Sequence, residues 1–178
     1  LHGGGSCRGV MSNEGAFVAS GDGCGALAIS DAEGDYGVGA AGIADDPRAA
    51  GAEAAERAMA AAGREGEAPD LVWLTASPGA EEAVIAGVQD ALGATTPIVG
   101  GSAADNDVSG GWAVFDGARA YGAGVVVSAL YPSTLRASAF QSGYAPTGAS
   151  GRATRAAGRT LFEIDHRPAR AVYAEWTA

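Results

Sequence analysis

Apolar and polar positions alternate with two different periods along this chain, and the switches between them outline an α/β fold. Residues 24–30 (Cys-Gly-Ala-Leu-Ala-Ile-Ser) read as a strand, and so do residues 36–43 beyond a turn at Glu33-Gly34-Asp35. Asp46 then offers a helix cap and Pro47 suits the first helical position, so a helix is predicted from there through Ala-rich sequence to Gly63. Leu71 to Ala76 form a buried-type strand, and Ser77-Pro78 reads as a cap followed by a first-turn proline. Val84, Val88 and Leu92, widened by Ile85, make one helical face that ends at Gly93. Pro97-Ile98-Val99 is the next strand, which makes strand, helix and strand a right-handed crossover.

Beyond Gly100 the pattern turns to hairpins. Trp112 to Phe115, an Asp116-Gly117 turn and Tyr121 to Leu130 predict antiparallel pairing. A strand is expected over 134–140, a long loop over 142–158 and a short strand over 160–164. Pro168 then opens a helix with Ala169, Val172, Tyr173 and Trp176 on one face.

A repeat runs through this order. Gly4-Gly5-Ser6 precedes a polar loop, a short apolar segment and the strand at 24–30, while Gly100-Gly101-Ser102 precedes a polar loop, Trp112 to Phe115 and the strand at 123–129. Two copies of one unit are therefore expected, roughly 1–63 and 70–140, within one domain cut through structural elements at both ends. The fold class is α/β: two related strand–helix–strand–hairpin units, with a mixed parallel and antiparallel sheet covered by helices. Chance similarity between glycine-rich stretches is the competing explanation.

Composition narrows the function classes. The chain has 178 residues, 47% hydrophobic and 18% charged, enough for a real core. With 29 glycines and few aromatics, that core must be built from Val, Leu, Ile and Ala with close backbone approach. The formal charge of −10 argues against nucleic acid as a partner. Arg136, Arg152, Arg155, Arg159, Arg167 and Arg170 nevertheless crowd the last quarter, as a local anion site or simply a solvated face. Two cysteines make no disulfide framework, and no apolar run is long enough to span a membrane. No secretory signal pattern opens the chain, so a cytoplasmic location is expected.

The two Gly-Gly-Ser loops are the leading site candidates, since ligands in such folds sit beyond the carboxyl ends of strands. Gly4, Gly5, Gly100 and Gly101 would let backbone N–H groups approach a ligand. Ser6, Arg8, Ser102, Asp105 and Asn106 would add hydroxyl, guanidinium, carboxylate and amide groups. That set suits a zwitterion: Arg8 for a carboxylate, Asp105 for an ammonium. Tight turns alone would also explain the glycines. Cys7, beside Arg8 and with His2 as a base, is the weaker candidate for a nucleophile, and the second loop has Ala103 in its place. No zinc spacing is present. Gly37-Val38-Gly39-Ala40-Ala41-Gly42 fits a dinucleotide pattern but falls inside a strand, not before a helix. Asp105 to Asp107 lacks the glycine and distal glutamate of a calcium loop.

Four stretches, in order, resemble one family. They are His2 to Met11, Ile29-Ser30-Asp31 with Gly34 to Gly39, Ile98 to Asn106, and Ile164-Asp165-His166-Arg167-Pro168-Ala169 with Val172-Tyr173. Together they are similar to the N-terminal part of the FIST domain, a bacterial sensory family. The resemblance implies a module that senses a small ligand, amino acids being the usual class. It also implies relay to a C-terminal FIST half or an output module. Haem is reported for some members, which would make His2, His166 or Cys7 axial-ligand candidates. An enzyme using Cys7 and a purely structural assembly module remain open as alternatives.

Overall fold

The computed structural model describes residues 1–7, 9–12, 15–17, 23–107, 109–139 and 144–177. These form two compact units, Leu1–Ser138 and the segment from Ala139 onward. The first opens with the short strands β1 (Gly3–Gly4), β2 (Val10–Ser12) and β3 (Gly15–Phe17). It continues with β4 (Asp35–Gly42), α1 (Pro47–Ala62), β5 (Leu71–Ala76), α2 (Glu81–Leu92) and β6 (Ile98–Ser102). β7 (Val114–Phe115), β8 (Ala120–Tyr121) and β9 (Gly124–Tyr131) complete it. The second unit has β10 (Ala153–Ala157), β11 (Thr160–Ile164), β12 (Arg167–Pro168) and α3 (Ala169–Trp176). Helices with mixed parallel and antiparallel sheet make the fold class α/β.

The frame of the first unit is a four-stranded sheet in the order β4-β9-β5-β6. β5 and β6 run parallel, joined by α2, while β9 lies antiparallel to both β4 and β5. One face packs α1 and α2 through Ala50, Ala54, Ala58, Val84 and Val88 against Val72, Leu74, Val125 and Val127. Glycine makes this packing tight. A Cβ at Gly37 would lie 2.0 Å from the Ala58 carbonyl oxygen, and one at Gly39 2.2 Å from that of Ala54. The glycines of the apparent dinucleotide motif are thus seats for α1 within β4. Gly51 and Gly87 do the same between the helices: a Cβ at either would meet backbone of the other helix, Val84 O at 2.2 Å and Arg48 O at 1.8 Å.

The opposite face is covered only in part. Ala40, Val126, Ala103 and Val114 form a small second core with Trp112 and Tyr121. Trp73, on the same side of β5, is 47% exposed.

Helix ends follow the expected chemistry at α1, where Asp46 caps Ala49 N–H at 3.0 Å and Gly63 ends the helix at φ 72°. The start of α2 differs from expectation. Gly79 at φ 118° breaks the run after Pro78, and the helix begins at Glu81 without a side-chain cap. The Ser77 hydroxyl serves the strand ends instead, accepting from Gly124 N–H at 2.9 Å and donating to Gly122 O at 3.1 Å.

Four further expectations are corrected. Residues 24–30 are not a strand: they have no ladder partner, and Leu27 and Ile29 are exposed. The described part of 134–140 is likewise outside any strand, with Leu135 fully exposed. The predicted hairpin divides, because β7 pairs only with β8 on that side while β9 enters the main sheet between β4 and β5. Its turn spans Asp116 to Arg119, with Asp116 Oδ1 accepting from the N–H groups of Ala118 and Arg119. Finally, residues 153–157, expected within a loop, are β10, paired antiparallel with β11. In α3, Ala169 and Val172 are buried as expected, but Tyr173 is exposed.

Candidate functional site

The carboxyl ends of the parallel strands β5 and β6 lie beside one another, with Ala76 opposite Ser102. β1 comes to the same end, pairing with β7 through Gly3–Phe115 and Gly4–Val114. Gly5 then donates its N–H to Ala113 O at 2.8 Å and accepts from Ala104 N–H at 2.9 Å. This last bond joins the two Gly-Gly-Ser segments, which are remote in sequence, into one rim. Contrary to expectation they are not wholly loops: Gly4 lies in β1, and Gly100, Gly101 and Ser102 lie in β6, paired with Leu74, Thr75 and Ala76 of β5. A main-chain bond of this kind fixes position without using side chains, leaving them to the solvent side.

The glycines in this rim have different duties. A Cβ at Gly4 would approach Thr75 Cγ2 to 2.6 Å, and one at Gly5 would stand 3.0 Å from Ala104 O. Gly100 adopts φ 148° with its Cβ position 1.8 Å from Leu74 O, which admits no other residue without moving β5. Gly101 faces open space, with nothing within 4 Å of its Cβ position. Among the rim glycines described, Gly101 is thus the one whose Cβ direction is open.

The polar candidates are mostly engaged locally. Ser6 Oγ donates to Gly9 O at 2.7 Å, and Ser102 Oγ to Glu81 Oε1 at 2.7 Å. Asp105 Oδ2 closes its own loop by accepting from the N–H groups of Gly110 and Gly111, at 2.7 and 2.8 Å. Asn106 also has a partner, and its side chain is exposed. Arg8 lies outside the described residues. Cys7 is an exposed free thiol.

His2 is not its base. Nδ1 of His2 lies 2.8 Å from Ser128 Oγ and Nε2 lies 2.7 Å from Thr75 Oγ1, so both ring nitrogens are taken up on the less covered sheet face. Burial lowers the His2 pKa to about 4, keeping the ring neutral. This cluster was missed from sequence because Thr75 and Ser128 each look like a lone polar residue within an apolar strand. The available signal was parity: positions 71, 73 and 75 share one face of β5, and 126, 128 and 130 share the matching face of β9.

A family model described as FIST N domain matches residues 2–167 of the chain. The chain belongs to the FIST family. FIST domains are a signal-transduction sensor family, so a sensory role follows at that level. Among curated proteins, none matches this FIST chain. Of the three axial-ligand candidates, His2 has both ring nitrogens bonded to hydroxyls, while His166 stands exposed on a hairpin turn and Cys7 is an exposed thiol. No described helix of this FIST domain is long and apolar enough to cross a membrane.

A second polar node lies at the other end of the sheet, where β4 begins and β9 ends. Asp31 accepts from Ser133 Oγ at 2.6 Å, from Ser133 N–H at 2.8 Å and from Tyr36 Oη at 2.8 Å. The Ser133 hydroxyl, then the Ser133 N–H and the Tyr36 hydroxyl, hold the Asp31 carboxyl well below the usual carboxylate range. Arg136 binds Asp70, just before β5, at the same end of the sheet, at 2.7 Å. These groups satisfy one another and act as a clasp between the turn before β4 and the turn after β9.

Proposed function

We propose that this FIST domain is a cytoplasmic sensory module in which the paired Gly-Gly-Ser loops hold a small ligand, an amino acid being the favoured class. The observation that carries the reading is the Gly5–Ala104 main-chain bond, which joins the chain leaving β1 to the chain leaving β6 in one rim at the carboxyl ends of β5 and β6. Gly4, Gly5 and Ser6 would line one side, and Gly100, Gly101, Ser102, Asp105 and Asn106 the other. The open backbone at Gly101 would meet a carboxylate through N–H groups. The repeat over 1–63 and 70–140 would account for the same motif on both sides of the rim. Binding of this kind is non-covalent and uses no thiol chemistry. A thermal-shift screen of amino acids checks it: stabilisation should survive Cys7→Ala and disappear in Gly101→Val.

The bound state would be relayed to a C-terminal FIST half or an output module. Support comes from the incompletely covered sheet face, where Trp73 is 47% exposed, and from exposed Leu27, Ile29 and Leu135. Copurification of the chain with a separately expressed C-terminal half tests the relay. Trp73→Ser should weaken that association, and an unchanged association would count against this face.

A further inference from the structure

The second unit carries a polar cleft that the reading above leaves unused, with Arg152 and His166 as candidate donors beside the Asp165 carboxylate. From Ala139 onward there are five arginines against three acids, a formal +2, while Leu1–Ser138 has six arginines against eighteen acids and carries −12. An open cleft of about 380 Å³ in this basic segment is lined by Arg152, Ala153, Thr154, Asp165 and His166. Neighbouring cations are already committed: Arg155 pairs with Glu163 and stacks on Phe162, and Arg167 pairs with Glu175. Among the described residues, Arg152 makes no ion pair.

The turn that supplies His166 is held in an unusual conformation. Asp165 and His166, between β11 and β12, adopt φ 49° and 60°, and they are the non-glycine residues with positive φ among those described. A two-residue hairpin with both φ values positive matches strand twist, but its second position favours glycine. Histidine there carries a steric cost that glycine would avoid. The surrounding bonds hold the turn regardless. Asp165 N–H donates to Arg152 O at 2.9 Å, Arg152 N–H to Asp165 Oδ1 at 3.0 Å, and His166 N–H to Thr154 Oγ1 at 2.9 Å. Asp165 Oδ1 is thus occupied by the Arg152 main-chain N–H, while the Arg152 side chain makes no ion pair among the described residues.

We infer that this cleft binds a small oxyanion, a phosphate or carboxylate group, through Arg152 and His166, and that binding is why histidine stands at a glycine-like position. A guanidinium offers paired N–H donors to such a group, and the imidazole of His166, in the same lining, can add a third donor. The site is independent of the glycine-loop rim, so either can fail without the other.

The test is titration of the whole chain with inorganic phosphate and, separately, acetate, followed by amide NMR shifts and by thermal melting. Saturable shifts at Arg152, Thr154 and His166 are expected; the tighter anion shows whether phosphate or carboxylate is the preferred group. Arg152→Gln and His166→Gly should each weaken binding by roughly tenfold or more, the loss expected for one charge-assisted bond. His166→Gly should at the same time raise Tm by a few degrees, because glycine accepts the positive φ. Absence of saturable shifts with both anions overturns the proposal, as does binding that persists in both variants. A lowered Tm in His166→Gly would show that the histidine serves packing and would also overturn it.

Discussion

The two Gly-Gly-Ser loops share a sequence and differ in mechanics. In the second, Gly100 is clamped against Leu74 of β5 while Gly101 beside it faces open space. In the first, Gly4 and Gly5 both press on neighbours, Thr75 and Ala104, and the open position is missing. The segments that follow the loops differ more. Val125, Val126 and Val127 of β9 are fully buried between two antiparallel neighbours, whereas Leu27 and Ile29 are exposed in a segment without ladder partners. Strand formation here depends on flanking strands more than on local composition, as is general for β structure.

That contrast can be broken or sharpened by substitution. The largest effect is expected for Gly100→Ala, which adds a Cβ at φ 148° in collision with Leu74 O. Urea denaturation should show a loss of about 3 kcal/mol or more. Gly101→Ala, one residue on, should stay within about 0.5 kcal/mol of the parent. Equal effects at the two positions would contradict the assignment of different duties.

His2→Ala comes next. It leaves Thr75 and Ser128 without their common partner on a half-buried face, at a cost of about 1–3 kcal/mol. The same residue sets a pH dependence. Its pKa falls from 6.5 when free to about 4 in the fold, so the unfolded chain binds more protons between those values. Stability should be level in this respect above about pH 6.5 and decline as pH falls toward 4, and His2→Ala should flatten that decline. The Asp31 clasp acts in a lower window: its depressed carboxyl stabilises the fold above pH 3.8 and loses that contribution only below it. A smaller effect than that of His2→Ala is expected for Ser102→Ala, which removes one exposed bond to Glu81 and should cost less than about 1 kcal/mol.

Much of the frame was legible in the sequence because it rests on local chemistry. The Asp46 cap, the Gly63 stop, the β5-α2-β6 crossover and the buried Val84, Val88 and Leu92 all follow from period and capping. What was not legible depends on remote partners. Ser77 looks like a helix cap but bonds to Gly122 and Gly124, and no local signal announces the start of β9 and the residues before it as its partners. β10 lacks alternation, and pairing with β11 alone makes it a strand. At the rim, the sequence indicated both loops but not that Gly5 would bond to Ala104. It also suggested His2 as a partner for Cys7, whereas sheet register assigns it to Thr75 and Ser128.

The central claim is that the joined loops form a small-ligand site, and thermal melting in the presence of an amino-acid panel tests it most directly. The account predicts that at least one amino acid raises the Tm of the parent chain and of Cys7→Ala, and leaves Gly101→Val unshifted although that variant folds. A panel in which no amino acid stabilises the chain, or a shift that persists in Gly101→Val, would contradict it.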